Sequence, residues 1–162
     1  MELRPIRIAR VSDGDTVVDT DGEKYRLYGI DAPESSQPFG QNSKKHMENL
    51  AMKWVPQIYV QEHGREKYGR MLATLYATDH PTLPQHNLNY VMVEDGLAWT
   101  YRFKDEESRR HQPVVPTSLD DYEVAEEQAR KEKLELWKDP QPERPSDYRK
   151  RIRAQRKRGR RS

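Results

Sequence analysis

The chain has 162 residues, 33% of them apolar and 35% charged, which suits one compact domain plus a short extension. It contains no Cys, which excludes disulfides, thiolate zinc and cysteine nucleophiles. The formal charge of +2 hides an asymmetry: residues 149–162 carry nine of the 29 Lys and Arg and no acid, leaving 20 basic residues against all 27 acidic ones in residues 1–148. Along the chain, residues 6–11 and 16–20 are rich in β-branched side chains and predict two strands. Asp21-Gly22 is a hairpin signal, and residues 23–29 return as a third strand. Met47, Leu50, Ala51 and Trp54 recur at helical spacing and predict an amphipathic helix over 41–54, closed by Pro56. Residues 58–62 and 71–76 predict two further strands joined by a turn from His63 to Gly69. A short helix carries Leu88, Val91 and Met92 on one face, with Asn87 as N-cap and Gly96 beyond its end. After a polar loop from Lys104 to Pro116, Ser118 and Asp121 form a capping-box pattern, opening a helix to Lys133 with Tyr122, Ala125 and Ala129 inward.

Five strands with three helices, one inserted between strands three and four, predict an α+β chain: an OB-fold five-stranded β-barrel with three packed α-helices. The domain is expected over residues 1–138, with Trp54, Trp99 and Trp137 in its core. Residues 139–148, with three prolines, read as an extended linker, and the basic tail 149–162 as flexible or ordered by DNA. An acidic body collects polyanions poorly, so the tail is the segment suited to nucleic acid. No apolar run approaches the ~18 residues of a membrane span. Met1-Glu2-Leu3-Arg4-Pro5 lacks the apolar stretch of a signal peptide, so the chain reads as intracellular or as the mature part of an exported protein.

The chemistry concentrates in three segments: Asp13-Gly14-Asp15-Thr16, Tyr25-Arg26-Leu27-Tyr28-Gly29-Ile30-Asp31-Ala32-Pro33-Glu34, and Lys67-Tyr68-Gly69-Arg70. Carboxylates hold hard cations through oxygen, a glutamate accepts a proton from water, and guanidinium forks match a phosphoryl group. Each residue also has a plainer reading. Asp15 suits a turn cap, Asp31 the approach to an Ala-Pro corner, and Glu34 a solvated loop. Arg26 suits a cross-strand ion pair and Arg70 a surface turn. Asp13-x-Asp15 and Asp19-x-Asp21-Gly22 lack the remaining positions of an EF-hand loop. His46, His63, His80, His86 and His111 show no ligand spacing and are expected at the surface.

These segments, together with Gly96-Leu97-Ala98-Trp99 and Ala125-Glu126-Glu127-Gln128-Ala129-Arg130, occur in the order found in staphylococcal-nuclease domains, and the chain resembles that family from about Ile6 to Trp137. The resemblance implies a Ca²⁺-dependent phosphodiesterase acting on DNA and RNA, and the chain is expected to be a monomer. Asp15, Asp31 and the main-chain carbonyl of Ala32 are its implied Ca²⁺ ligands, and Glu34 the base that activates water. Arg26 and Arg70 are the implied phosphate clamps, and the product a 3′-phosphate. Lys67 and Tyr68 match positions that contact a terminal phosphate. Tyr101 and Phe103 match an aromatic pair near the base when one residue is skipped after Ala98, and barrel packing is the other reading of that pair. Family members that serve only as binding modules lack catalytic residues. Here Asp15, Arg26, Asp31, Glu34 and Arg70 are all present. A non-catalytic nucleic-acid-binding module with a basic tail is the alternative.

Overall fold

The computed structural model describes residues 3–161. Its strands are β1 (Arg4–Ile6), β2 (Ile8–Asp13), β3 (Thr16–Asp19), β4 (Lys24–Leu27), β5 (Ile30–Asp31), β6 (Ile58–Arg65), β7 (Met71–Tyr76) and β8 (Trp99–Thr100). The helices are α1 (Gly40–Asn49), α2 (Leu88–Glu94), α3 (Leu119–Lys131) and α4 (Pro145–Arg161). The architecture is the expected α+β OB-fold.

Closure of the barrel depends on a break at Arg7. The first expected strand is split there into β1 and β2, which pair with opposite edges of one sheet in the order β1-β6-β7-β4-β3-β2. Because β1 runs directly into β2, the sheet curls back on itself and leaves no long edge. β4 and β7 pair in parallel, with Arg26 opposite Leu72 and Tyr25 opposite Met71. This register sets the turn before β7 beside β4. The third expected strand ends early at Leu27, and after the Tyr28-Gly29 turn the chain continues as β5, paired with β8.

The interior is filled by alternate strand residues, among them Val17, Tyr25, Leu27 and Leu75, together with Met47 of α1, Met92 of α2 and Tyr122 of α3. Ser118 caps α3 with Asp121 in a reciprocal box, as expected. Asn87 caps α2 by accepting from the Tyr90 N–H at 2.9 Å. Asn89, fully buried, accepts from the Leu75 N–H at 3.2 Å and donates to the carbonyls of Tyr28 at 3.0 Å and Ala73 at 3.1 Å. It ties α2 to β7 and to the turn that leads into β5.

Three expectations require correction. The α1 helix passes at Leu50 into a π-helical turn to Trp54, marked by Val55 N–H donating to the Leu50 carbonyl. The wider turn rotates Trp54 off the buried face, and its side chain is 60% exposed, whereas Trp99 and Trp137 are buried. The histidines are not uniformly superficial: His63 and His111 are half-buried and stacked at 5.1 Å, both against Tyr28. The basic tail, expected to be flexible or ordered by DNA, is helical, and its helix begins at Pro145 within the expected linker. Pro145 opens α4, Asp147 lies in its first turn, and Arg158, Arg160 and Arg161 lie in its last, a distribution that favours the helix dipole. Tyr148, bonded to Ser36, and Arg149, bonded to Glu34, fix its first turns. No helix among the described residues is long and apolar enough to cross a membrane.

Replacing Asn89 with Ala should destabilise the fold by about 2–3 kcal/mol, since it strands the buried Leu75 N–H and opens a small void. Urea denaturation at neutral pH measures this directly. A pH effect follows from His63, whose Nε2 pairs with Thr74 Oγ1 at 2.8 Å. Burial, helped by His111, lowers its pKa from 6.5 to about 4. The unfolded state therefore takes up the proton first. Stability that His63 contributes above pH 6.5 should be lost as pH falls through about 4. The stability gap between wild type and His63→Gln should narrow across that window, and a constant gap would contradict the assignment.

Candidate active site

A cleft of about 820 Å³ opens on the barrel wall between the β2–β3 turn, the β4–β5 turn, the turn before β7 and the start of α4. Asp13, Asp15, Arg26, Asp31, Ala32, Glu34, Tyr68, Arg70, Tyr101 and Phe103 all line it. With Arg149 and Arg153 of α4, five segments far apart in sequence thus meet at one place.

Arg26 is the centre of the constellation. It lies on β4, and its side chain is only 13% exposed. Nη1 donates to the carbonyls of Leu27 at 2.7 Å and Ile30 at 2.9 Å, across the Tyr28-Gly29 turn. Nη2 lies 3.5 Å from Asp15 Oδ2 and 3.6 Å from Asp31 Oδ1. The turn can be this tight because Gly29 has φ +83°, and a Cβ there would press on Leu119 and Tyr122 of α3. Asp15 is in turn fixed from two sides: Oδ2 accepts from the Ala32 N–H at 2.7 Å and Oδ1 from Thr16 Oγ1 at 3.0 Å. Both plain readings are therefore part of the site. Arg26 does form an ion pair, and Asp15 does cap a main-chain N–H.

Glu34 follows the Pro33 corner. Its N–H donates to Gln37 Oε1 at 3.0 Å, and its carbonyl accepts from the Gln37 N–H at 2.9 Å. A Cβ on Gly40 would collide with the Glu34 carbonyl, so only glycine lets α1 start this close. The carboxylate of Glu34 is held by Arg149 of α4, with Nη1–Oε1 at 2.5 Å. Arg70 enters the cleft from the turn before β7 and pairs through Nε with Glu66 Oε1. Tyr101 lies under the Arg26 guanidinium at 5.9 Å and meets Phe103 edge-on at 5.0 Å. Phe103 also packs on Tyr28 at 5.4 Å, so it both lines the cleft and covers the barrel. Tyr68 is 76% exposed, with the Lys67 ammonium 5.0 Å from its ring; Lys67 itself is not on the cleft wall.

The electrostatics favour a hard cation. Burial raises the Asp31 carboxyl to about 6, and the negative charge of Asp15 adds to the rise, against the opposing pull of Arg26. Asp13 is raised by burial and by the charges of Asp15 and Glu34. Arg26, Arg149 and Arg144 offset the rise at Asp31 only in part, and Asp15, Asp31 and the Ala32 carbonyl are all oxygen donors of the type Ca²⁺ takes. Among the described residues no three His, Cys, Asp or Glu side chains form a metal cluster. A cation here would rest on two carboxylates, a main-chain oxygen and water. The donor set fits such an ion.

Sequence reasoning did not single out Asp13, Glu66, Arg149 or Arg153 as cleft residues. Asp13 stands two residues before Asp15 and Glu66 four before Arg70, which are local signals; Arg149 and Arg153 belong to the basic tail.

A closed OB barrel with two guanidinium groups beside a carboxylate cluster is a domain chemically suited to a phosphate diester. The staphylococcal nuclease homologue family matches residues 24–139, which include Arg26, Asp31, Glu34 and Arg70. Micrococcal nuclease of Shigella flexneri is 34% identical over 148 residues, covering 88% of this chain and 78% of that protein. An uncharacterized endonuclease of Haemophilus influenzae is 35% identical over 152 residues, covering 91% and 74%. One from Escherichia coli O157:H7 is 39% identical over 140 residues, covering 84% and 78%. The chain belongs to the staphylococcal nuclease homologue family.

Arg26→Gln should cost about 3–5 kcal/mol in urea denaturation, because it leaves Asp15 and Asp31 buried without their shared counter-charge. Adding Asp31→Asn should recover part of that loss. Additive penalties in the double variant would contradict the coupling.

Proposed function

We propose that this protein is a Ca²⁺-dependent nuclease that hydrolyses phosphodiester bonds of DNA and RNA, acting as a monomer. The observation that carries the reading is the convergence of Asp15, Arg26, Asp31, Glu34 and Arg70 on one cleft in a chain whose relatives include a micrococcal nuclease. Asp15, Asp31 and the Ala32 carbonyl hold Ca²⁺, which when bound offsets the charge of the scissile phosphate and polarises it.

The remaining chemistry falls to side chains. Arg26 and Arg70 bind the non-bridging oxygens and stabilise the charge that builds on them as phosphorus becomes five-coordinate. Arg26 is pre-positioned by its two carbonyl acceptors, so it loses little freedom on engaging the phosphate. Glu34 takes a proton from the attacking water as the new P–O bond forms. The P–O5′ bond breaks opposite to it, the O5′ takes a proton from solvent, and the phosphate stays on the 3′ side. Lys67 and Tyr68 contact a terminal phosphate. Tyr101 and Phe103 stack bases, which favours single strands and breathing A·T-rich duplex, because only unpaired bases reach a barrel groove.

Glu34→Gln and Arg70→Ala should each slow cleavage of single-stranded DNA by about 10²–10³ with unchanged circular dichroism. Wild-type rates in both would remove them from the mechanism. Plasmid should be nicked in Ca²⁺ and spared in chelator, and calorimetry should show weaker Ca²⁺ binding in Asp31→Ala. Binding of nucleic acid with no cleavage under either condition would instead support a non-catalytic module.

A further inference from the structure

Helix α4 lies outside the residues that match the family, which end at 139. Its first turns are tied to the turn that carries Glu34 by two contacts of its own and one of the segment before it, and a fourth, local pair braces that segment. Tyr148 bonds Ser36 at 2.6 Å, Gln37 Nε2 donates to the Glu143 carbonyl, Arg149 holds Glu34, and Arg151 pairs with Glu143 at 3.0 Å. Gln37 thus links the turn that carries Glu34 to the segment that launches α4.

At 3.6 residues per turn, Arg149, Arg153, Arg156 and Arg160 fall on one face of α4. The stripe is about 16 Å long at ~1.5 Å per residue. Arg149 and Arg153 line the active-site cleft, and Arg156 lines a shallower groove that adjoins it and shares Glu34, Arg149 and Arg153. Lys150 and Lys157 flank the stripe. Among the described residues no carboxylate pairs with Arg153, Arg156, Lys157 or Arg160. The side chains are exposed and their charge is uncompensated, on a helix docked by its other residues.

We propose that α4 is a track for the sugar-phosphate backbone of a single strand, running out of the active-site cleft, with Arg149 at its inner end. The proposal rests on the nuclease reading for the strand's identity. Charge complementarity selects a polyanion, and a stripe one side chain wide, with roughly one cation per turn, suits a chain of single phosphates better than a folded acidic surface. The strand's phosphate also offers Arg149 an anion in place of Glu34, so engagement of the track releases the carboxylate that the reaction uses. Residues upstream of 149 carry 27 acids against 20 bases, and the track supplies the attraction this body lacks.

The test is titration of the full chain and of Arg156→Gln/Arg160→Gln with a long oligothymidylate and with a thymidine dinucleotide, in chelator, over a range of salt. Each phosphate contact on a single strand contributes about 0.7 to the slope of log affinity against log salt, so the double variant should flatten the slope for the long strand by about 1.4. Its affinity for that strand should fall, and the dinucleotide, too short to reach Arg156, should keep its slope. An unchanged slope for the long strand would overturn the proposal, as would an equal change for both ligands, which indicates a general field effect. Cleavage by the wild type in Ca²⁺, measured alongside, separates the two ideas. A flattened slope without any cleavage refutes the nuclease reading alone, and cleavage with an unchanged slope refutes the track alone.

Discussion

The fold and the site share one constraint, the burial of the Arg26 guanidinium. A charge with 13% side-chain exposure must be surrounded by acceptors, and the chain supplies two carbonyls and two carboxylates. Those acceptors belong to the β2–β3 turn, the end of β4 and β5. Satisfying Arg26 therefore sets the relative positions of Asp15 and Asp31. The parallel pairing of β4 with β7 then brings Arg70 alongside, and Pro33 with Gly40 places Glu34. Folding thus places charged groups together at the cleft, where the two carboxylates outnumber the one buried guanidinium.

That imbalance is a stability cost typical of sites built for a ligand. Asp31 is held above its ordinary value by burial and by Asp15. Arg149 reaches from α4 to Glu34 and adds positive charge that also acts on Asp31 and Asp15. The unliganded chain therefore offsets part of its own carboxylate charge with an arginine from the far end of the molecule. The cation and the phosphate proposed to bind here would act on the same balance, one on the carboxylates and the other on the guanidinium groups.

Much of this was legible in the sequence because the signals are local. Asn87 and Ser118 cap their helices where turn chemistry places them, and Arg26 stands out as a charge in an apolar strand. What escaped depends on pairing across long separations. The break at Arg7 that closes the barrel leaves no mark on hydrophobic alternation, since residues on both sides of it still read as strand. The π-helical turn at 50–54 changes the period by one residue, enough to carry Trp54 to the surface while Met47 and Ala51 stay inside. The Arg149–Glu34 pair spans 115 residues, and nothing in a run of nine basic side chains distinguishes the one that meets a carboxylate. Composition identified the tail as basic; only its helical order shows which of its residues face the cleft.

The most direct test of the central claim is cleavage of a defined single-stranded oligonucleotide in ¹⁸O-labelled water with Ca²⁺, read by mass spectrometry. Water activated by Glu34 and attacking phosphorus should leave one labelled oxygen on a 3′-phosphate, with a 5′-hydroxyl on the other fragment, and chelator should abolish both products. Fragments ending in 5′-phosphate and 3′-hydroxyl, or an intact oligonucleotide in Ca²⁺, would contradict the account.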